Sequence, residues 1–501
     1  MISLSRRLPI FYSALMLTGV NLLLRFVGTS FQVYLSGRIG AEGIGLLQLV
    51  LSVGNMALVA GMAGIRTATM YLTAEEVGKN RPGRILWVLS GCTKYSLAAS
   101  TAVACLLYFF APQISTHWIG QAEVTDAVRL LAVFLPVNCL CGVMIGYFTG
   151  ANRIGTLAAV EVAEQFCTLI CTIVLLEFWA ERDALKACQA VILGSQAGAI
   201  LTLCSLVILR HWERSPVSPR IPLANRLRKT AVPLALADNL RTGISTVENL
   251  MVPKRLALYA GITSPLAAFG AVCGMVFPIL TFPMAILYGL TELLIPELAR
   301  CNAAGSHQRI TYLVNQSLRI ALLFGAFCSC ILFLSAKELC LRLYGNPDAG
   351  RYLRWFAPLA VMLYCDGVTD AMIKGLGQQK ASVQYNIFTN TMDIALLYVL
   401  LPKLGIAGYF ISFAITHVIN FVLSLRRLLK ITGISISVNL PVRVLLAAIF
   451  AVWGAGFIGH PLLTPIGGVC VLGCLLILFG VVQLEDLHWL KNLIKTKDRP
   501  D

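Results

Sequence analysis

Residues 44–72 read IGLLQLVLSVGNMALVAGMAGIRTATMYL. From Ile44 to Ile65 the run holds 22 residues without a charge. A helix of about 20 apolar residues crosses the hydrocarbon core of a bilayer, so this stretch predicts a membrane span. Gln48, Asn55 and Arg66 break its apolar character. Asn55 and Arg66 are eleven apart, about three turns at ~3.6 residues per turn, and so share a helix face.

Similar runs recur along all 501 residues. The chain is 57% hydrophobic and 13% charged, with a mean hydropathy of +0.78. Soluble domains carry roughly 25% charged residues, and a larger soluble core cannot explain the deficit, because single cores stop growing near ~250–300 residues. The sequence therefore predicts an all-α integral membrane protein of about fourteen transmembrane helices. The expected spans are 9–36, 44–72, 84–111, 124–150, 156–179, 186–210, 231–257, 265–290, 309–335, 349–377, 381–401, 405–428, 441–459 and 463–484. The first follows Arg6 and Arg7 and runs on to about Tyr34, which predicts a membrane helix and not a cleaved leader.

The formal charge of +16 does not point to nucleic acid. The basic residues stand in short clusters between apolar runs, where anionic membrane lipids are the simpler partner. Of the 40 Lys and Arg residues, 24 fall on the N-terminal side of the membrane in this span assignment and 10 on the other. The remaining 6, Arg25, Arg66, Lys94, Arg129, Arg241 and Arg319, lie within spans. This bias predicts both termini in the cytoplasm and an even number of spans. The 16 cysteines form no CxxC pair and have no nearby His to complete a zinc set. Inside apolar runs, as at Cys105 and Cys204, they read as small buried hydrophobes.

The longest connection, HWERSPVSPRIPLANRLRKT at 211–230, divides the chain. The expected organisation is an N-terminal six-helix bundle over 1–210, a cytoplasmic linker over 211–230, a second six-helix bundle over 231–430, and two further helices with a short basic tail over 431–501. A faint repeat accompanies this division. Thr73-Ala74-Glu75-Glu76 with Gly78-Lys79-Asn80 is echoed by Ile295-Pro296-Glu297 with Arg300-Cys301-Asn302. An even number of helices per half makes such a repeat parallel.

Charges at the bilayer centre cost roughly 2.5–3.5 kcal/mol on insertion scales, so they usually face protein or a water-filled cavity. Span one carries Asn21 and Arg25 on one face, and span two carries Asn55 and Arg66. Span seven carries Asp238, Arg241 and Glu248, span ten Asp366, Asp370 and Lys374, and span eleven Asn386, Asn390 and Asp393. Glu161, Glu164 and Gln165 open span five. The candidate cavity residues are Arg25, Arg66, Arg241, Asp238, Glu248, Asn21, Asn55, Asp366, Asp370 and Asp393. The competing reading is interhelical pairing, to which Asp366, Asp370 and Lys374 are well suited, with Lys374 reaching the surface. Several arginines in one cavity suit an anionic substrate, because a guanidinium keeps its charge and grips phosphate through paired donors. Pro278, Pro283 and Pro296 interrupt span eight and its end.

No Walker A, GxSxG or HExxH motif occurs. The segment 336–354, AKELCLRLYGNPDAGRYLR, reads as a solvated interfacial loop, with a transferase site there the weaker reading. The sequence thus favours a transporter without catalytic residues, cofactor or metal. A membrane glycosyltransferase or a non-transporting cell-wall partner remains as an alternative.

Several segments resemble one superfamily, the multidrug/oligosaccharidyl-lipid/polysaccharide exporters, in its stage V sporulation protein B-like, polysaccharide-biosynthesis branch. They are Gly61-Met62-Ala63-Gly64-Ile65 through Ala74-Glu75-Glu76-Val77, Leu250-Met251-Val252-Pro253-Lys254-Arg255-Leu256, Gly274-Met275-Val276-Phe277-Pro278 through Ile295-Pro296-Glu297, and Gly375-Leu376-Gly377-Gln378. The resemblance spans about residues 1–485. It implies two six-helix bundles in a V-shaped, pseudo-symmetric arrangement plus two C-terminal helices, working by alternating access. It implies flipping or export of a lipid-linked oligosaccharide or peptidoglycan precursor with an anionic pyrophosphate headgroup, in cell-wall or spore cortex synthesis. Coupling would be to H+, Na+ or the membrane potential, and a cation-coupled multidrug extruder is the alternative in the same superfamily. The related lipid II flippases carry cavity arginines in spans one, two and eight. Arg25 and Arg66 match the first two by span, whereas 265–290 has no arginine. The resemblance leaves that role to Arg241 or Arg255.

Overall fold

The apolar runs fold as helices because a backbone in hydrocarbon must satisfy its N–H and C=O groups within the segment. The computed structural model describes residues 7–79, 81–180, 183–211, 224–434, 439–460 and 463–481, and among them every regular element is helical. In order these are α1 (Arg7–Met62), α2 (Ile65–Gly78), α3 (Pro82–Gln113), α4 (Thr125–Gly150), α5 (Ile154–Leu175), α6 (Ala184–His211), α7 (Ala224–Leu256), α8 (Pro265–Gly270), α9 (Phe277–Thr281), α10 (Met284–Ala303), α11 (His307–Tyr344), α12 (Pro347–Phe356), α13 (Ala360–Gly375), α14 (Gln379–Leu404), α15 (Ile406–Thr432), α16 (Asn439–Ala455) and α17 (Leu463–Leu478).

Nine helical stretches among the described residues are long and apolar enough to cross a membrane, or ten if Pro265–Thr281 and Met284–Ala303 form one bent span. Physical reasons separate this from the fourteen expected. Expected spans one and two run together through α1 and α2, divided at Gly40, whose φ of 69° suits a glycine. The long α7 carries the charges of Asp238, Arg241 and Glu248 in mid-helix. The last two helices, α16 and α17, are apolar but only 17 and 16 residues long. Residues 212–223 of the expected linker lie outside the described residues, as do residues 1–6 and 482–501, and α7 takes in the linker's last residues.

The contacts divide the chain into two units. The first comprises Met1–Gly274 and Asn390–Gly408. Its core joins Ile65, Ala68 and Leu72 of α2 to Val88 and Cys92 of α3, Val143, Tyr147 and Phe148 of α4, Leu157 and Val160 of α5, and Leu206 of α6. Small residues let α2 lie close on α4: a Cβ added at Gly150 would sit 2.5 Å from the Met70 carbonyl oxygen and 2.9 Å from Thr73 Cβ. In hydrocarbon, close packing of this kind carries helix association.

The second unit comprises Met275–Thr389 and Tyr409–Asp501. One core packs Ala326 and Cys330 of α11 against Val444, Ala447 and Ala451 of α16 and Leu472 and Leu476 of α17. Arg319 and Arg443 donate to the carbonyls of Val481 and Phe479 at the end of α17, at 2.8 and 3.1 Å. Elsewhere the buried Tyr364 hydroxyl donates to the Leu280 carbonyl at 2.8 Å, and Phe277, Phe356, Tyr409 and Phe413 form an aromatic cluster.

Two expectations are corrected. Residues 336–354 are not a loop: α11 continues through Tyr344, turns at Gly345 and Asn346, and α12 begins at Pro347. Eight cysteines are buried, but Cys105 and Cys204 are exposed.

Candidate functional site

The chain turns left-handed twice in succession between α1 and α2, at Ala63 (φ 45°) and Gly64 (φ 72°). An alanine is uncommon there, because its Cβ crowds the backbone. The new helix starts at Ile65 with no side-chain cap on its N-terminus. Arg66 is its second residue, and its side chain is exposed. Helix N-termini carry the positive end of the peptide dipole, so an arginine in that turn adds a full charge to a partial one. Glu161 of α5 faces Arg66 closely enough for their charges to interact. Glu164, one turn on, accepts a hydrogen bond from Thr202 of α6 at 2.7 Å. Asn138 of α4 donates to Gln196 of α6 at 2.6 Å. These bonds give the first unit a polar interior of which the sequence showed only Glu161 and Glu164.

On α1, Arg25 is half-buried, and its carbonyl accepts from Thr29 at 2.9 Å. The Asn21 side chain lies outside the described residues. Asn55 is exposed on the same long helix. Along α7, Asp238 and Arg241 are exposed, and Glu248 is hydrogen-bonded to Asp393 of α14. Beside this pair, Asn249 donates to the Ser52 hydroxyl at 3.0 Å.

Arg255 is engaged by its neighbours within the first unit. Its Nε and Nη2 both donate to the Tyr398 carbonyl, at 3.1 and 2.8 Å, and its guanidinium stands 3.6 Å from the centre of the Tyr398 ring. Next to it, Lys254 donates to the His117 carbonyl. The exit of α7 is thus tied to the end of α14 and to the turn after α3.

Asp366 and Asp370 belong to the second unit and are engaged by neighbours. Asn420 of α15 donates to Asp366 Oδ2 at 2.9 Å, and Thr389 donates to Asn420 at 3.5 Å. Asp370 pairs with Lys374 at 2.6 Å and accepts from Ser382 of α14. Asp370 and Lys374 thus pair within α13, while Asp366 and Asp370 are bonded across to α15 and α14. Ser382 and Asn420 were not singled out in the sequence, because lone polar residues of that kind recur on many of its helices. Among the described residues, no three or more His, Cys, Asp or Glu side chains gather to hold a metal ion.

The MatE family profile matches the chain twice, over residues 18–176 and 233–399. The chain belongs to the MatE family. Stage V sporulation protein B of Bacillus subtilis (strain 168) is 24% identical over 439 residues, covering 85% of this chain and 84% of its own. Lipid II flippase MurJ of the same organism is 20% identical over 469 residues, covering 86% and 84%. Among solved structures, lipid II flippase MurJ in an inward closed conformation matches with a TM-score of 0.68 at 13% identity, over 94% of this chain and 99% of that one. The resemblance read in the sequence holds, and the MatE chain is a multi-pass membrane transporter of the flippase and exporter kind.

Proposed function

We propose that this MatE protein flips a lipid-linked glycan precursor across the cytoplasmic membrane, engaging its anionic pyrophosphate headgroup and working by alternating access. The observation that carries this reading is Arg66, exposed in the first turn of a helix that restarts inside an otherwise apolar segment. Transporters commonly aim the N-termini of interrupted helices at anionic substrate groups. Arg25, with Arg241 in place of an arginine in span eight, would complete the grip. Asn21, Asn55 and Asp238 would line the same cavity. A relative named for flipping lipid II supports a peptidoglycan precursor as the cargo, and one named for sporulation supports a role in spore cortex or cell-wall synthesis.

This reading carries fourteen spans, two six-helix bundles with two added helices, and both termini in the cytoplasm. The Lys/Arg bias supports it. Glu248 and Asp393 support coupling to H+ or Na+, because a hydrogen bond between two carboxyl groups holds a proton that a cation can replace. The same pair favours the second reading, a cation-coupled multidrug extruder.

The test is reconstitution in liposomes with a fluorescent undecaprenyl-pyrophosphate glycan, measuring leaflet exchange. Exchange should depend on the protein and fall at least tenfold in Arg66→Ala. Full exchange in a correctly inserted Arg66→Ala variant refutes the headgroup role. Efflux of organic cations without lipid exchange selects the extruder.

A further inference from the structure

The hairpin formed by α11 and α12 places an unusual set of residues at one level. α12 runs back along the end of α11: a Cβ added at Gly350 would lie 3.0 Å from Lys337 Cα and 3.2 Å from the Ala336 carbonyl oxygen. The Arg354 guanidinium stands 4.8 Å from the Phe333 ring centre. Ala349, Gly350, Leu353 and Phe356 are buried. Lys337, Arg342, Arg351, Arg354 and Trp355 are exposed, and Tyr352 is half-buried with its ring 6.1 Å from that of Trp355.

The depth of this set follows from helix rise. Arg354 and Lys374, the latter reaching the surface, are 20 residues apart along α12 and α13, about 30 Å at ~1.5 Å per residue. That interval is the thickness of the hydrocarbon core, ~30 Å. Lys337 shares the level of Arg354, because Gly350 and Arg354 lie beside Lys337 and Phe333. The cations and both aromatic rings therefore sit at one membrane–water boundary. Trp and Tyr favour that level for their apolar bodies and polar tips.

The four cations outnumber the two nearby acids. Of these, Asp348 lies 3.8 Å from Arg351, and Glu338 is on α11. By the charge bias this segment faces away from the basic side of the protein, so topology does not call for four cations here. We propose that the α11–α12 hairpin binds the headgroup of an anionic phospholipid of the adjacent leaflet. Arg351, Arg354, Lys337 and Arg342 would meet the phosphate and Trp355 the glycerol backbone. Arginine suits this because its paired donors match phosphate oxygens. This inference stands apart from the transported substrate and does not require the flippase reading.

The experiment uses the full chain in vesicles of phosphatidylcholine with phosphatidylglycerol, either lipid carrying dibrominated acyl chains that quench tryptophan on contact. The difference between wild type and Trp355→Phe isolates the Trp355 signal from the other six tryptophans. Trp355 should be quenched more by brominated phosphatidylglycerol, with a relative affinity of about fivefold per engaged cation. Arg351→Gln/Arg354→Gln should lower that ratio about 25-fold. Lys337→Gln/Arg342→Gln, at exposed positions, should lower it as well and serves if the first pair fails to fold. Equal quenching by the two lipids overturns the proposal, as does an unchanged preference in a folded double variant or a Trp355 that neither lipid quenches.

Discussion

Gly325→Ala tests whether α13, which carries Asp366 and Asp370, is held by direct backbone packing. Gly325 lies in the middle of α11, and a Cβ built on it falls 2.9 Å from Val361 Cα. Carbon atoms in contact settle at about 3.5–4.0 Å, so the methyl group displaces α13 by about 0.6–1.1 Å or strains α11. Overpacking of this size costs about 1–3 kcal/mol. Alanine also stabilises a helix relative to glycine by up to about 1 kcal/mol, which masks part of the loss. Gly473→Ala, inside α17, supplies the correction, because a Cβ there meets nothing within 4 Å. Both variants gain the same helix propensity, and only the first gains the clash. Their difference should therefore be about 1–3 kcal/mol, with Gly325→Ala the less stable. Thermal unfolding of the two detergent-purified proteins, followed by tryptophan fluorescence, measures it. Equal midpoints would refute the packing of α13 on α11.

Arg255→Gln removes two bonds to the Tyr398 carbonyl and the contact with its ring. It should lower the unfolding midpoint, while Arg255→Lys restores the charge but not the paired donors and so recovers only part of it. Asn346→Ala removes the cap on Ala349 N, a 3.0 Å bond at the start of α12. It should cost about 1 kcal/mol, seen as faster hydrogen exchange at the α12 amides. Glu248→Gln keeps the shape of the pair with Asp393 but removes one exchangeable charge. Under the proposed function, transport in vesicles should then lose its dependence on an imposed H+ or Na+ gradient, and an unchanged gradient dependence would remove the pair from coupling.

Helices were the legible part of this protein. An uninterrupted apolar run has one way to satisfy its backbone in hydrocarbon, so 44–65 announced a helix on composition alone. Interruptions were less legible. Gly40 and Gly64 are two among 41 glycines, and their left-handed angles appear only once the chain is folded. The hairpin at 336–354 misled for a related reason. The segment reads as a solvated loop in the sequence, whereas the buried Ala349, Leu353 and Phe356 sit on one face of a short helix. Three or four apolar residues are too few to mark a helix against that much charge.

Partners were the least legible, and the arginines show why. The resemblance gives both Arg66 and Arg255 a claim on a phosphate, the first by its place in span two and the second in place of an arginine in span eight. In the fold, Arg255 is consumed by a carbonyl and a ring 143 residues away along the chain. Arg66 stays exposed beside an uncapped helix start, with an acid facing it. Three nearby groups decide which arginine remains available to an anion, and none of them lies within two turns of it in sequence. The number of arginines in the spans is thus a poor guide to a headgroup site. What distinguishes a binding arginine is the lack of a structural carbonyl within its reach, and that property belongs to the packing of helices.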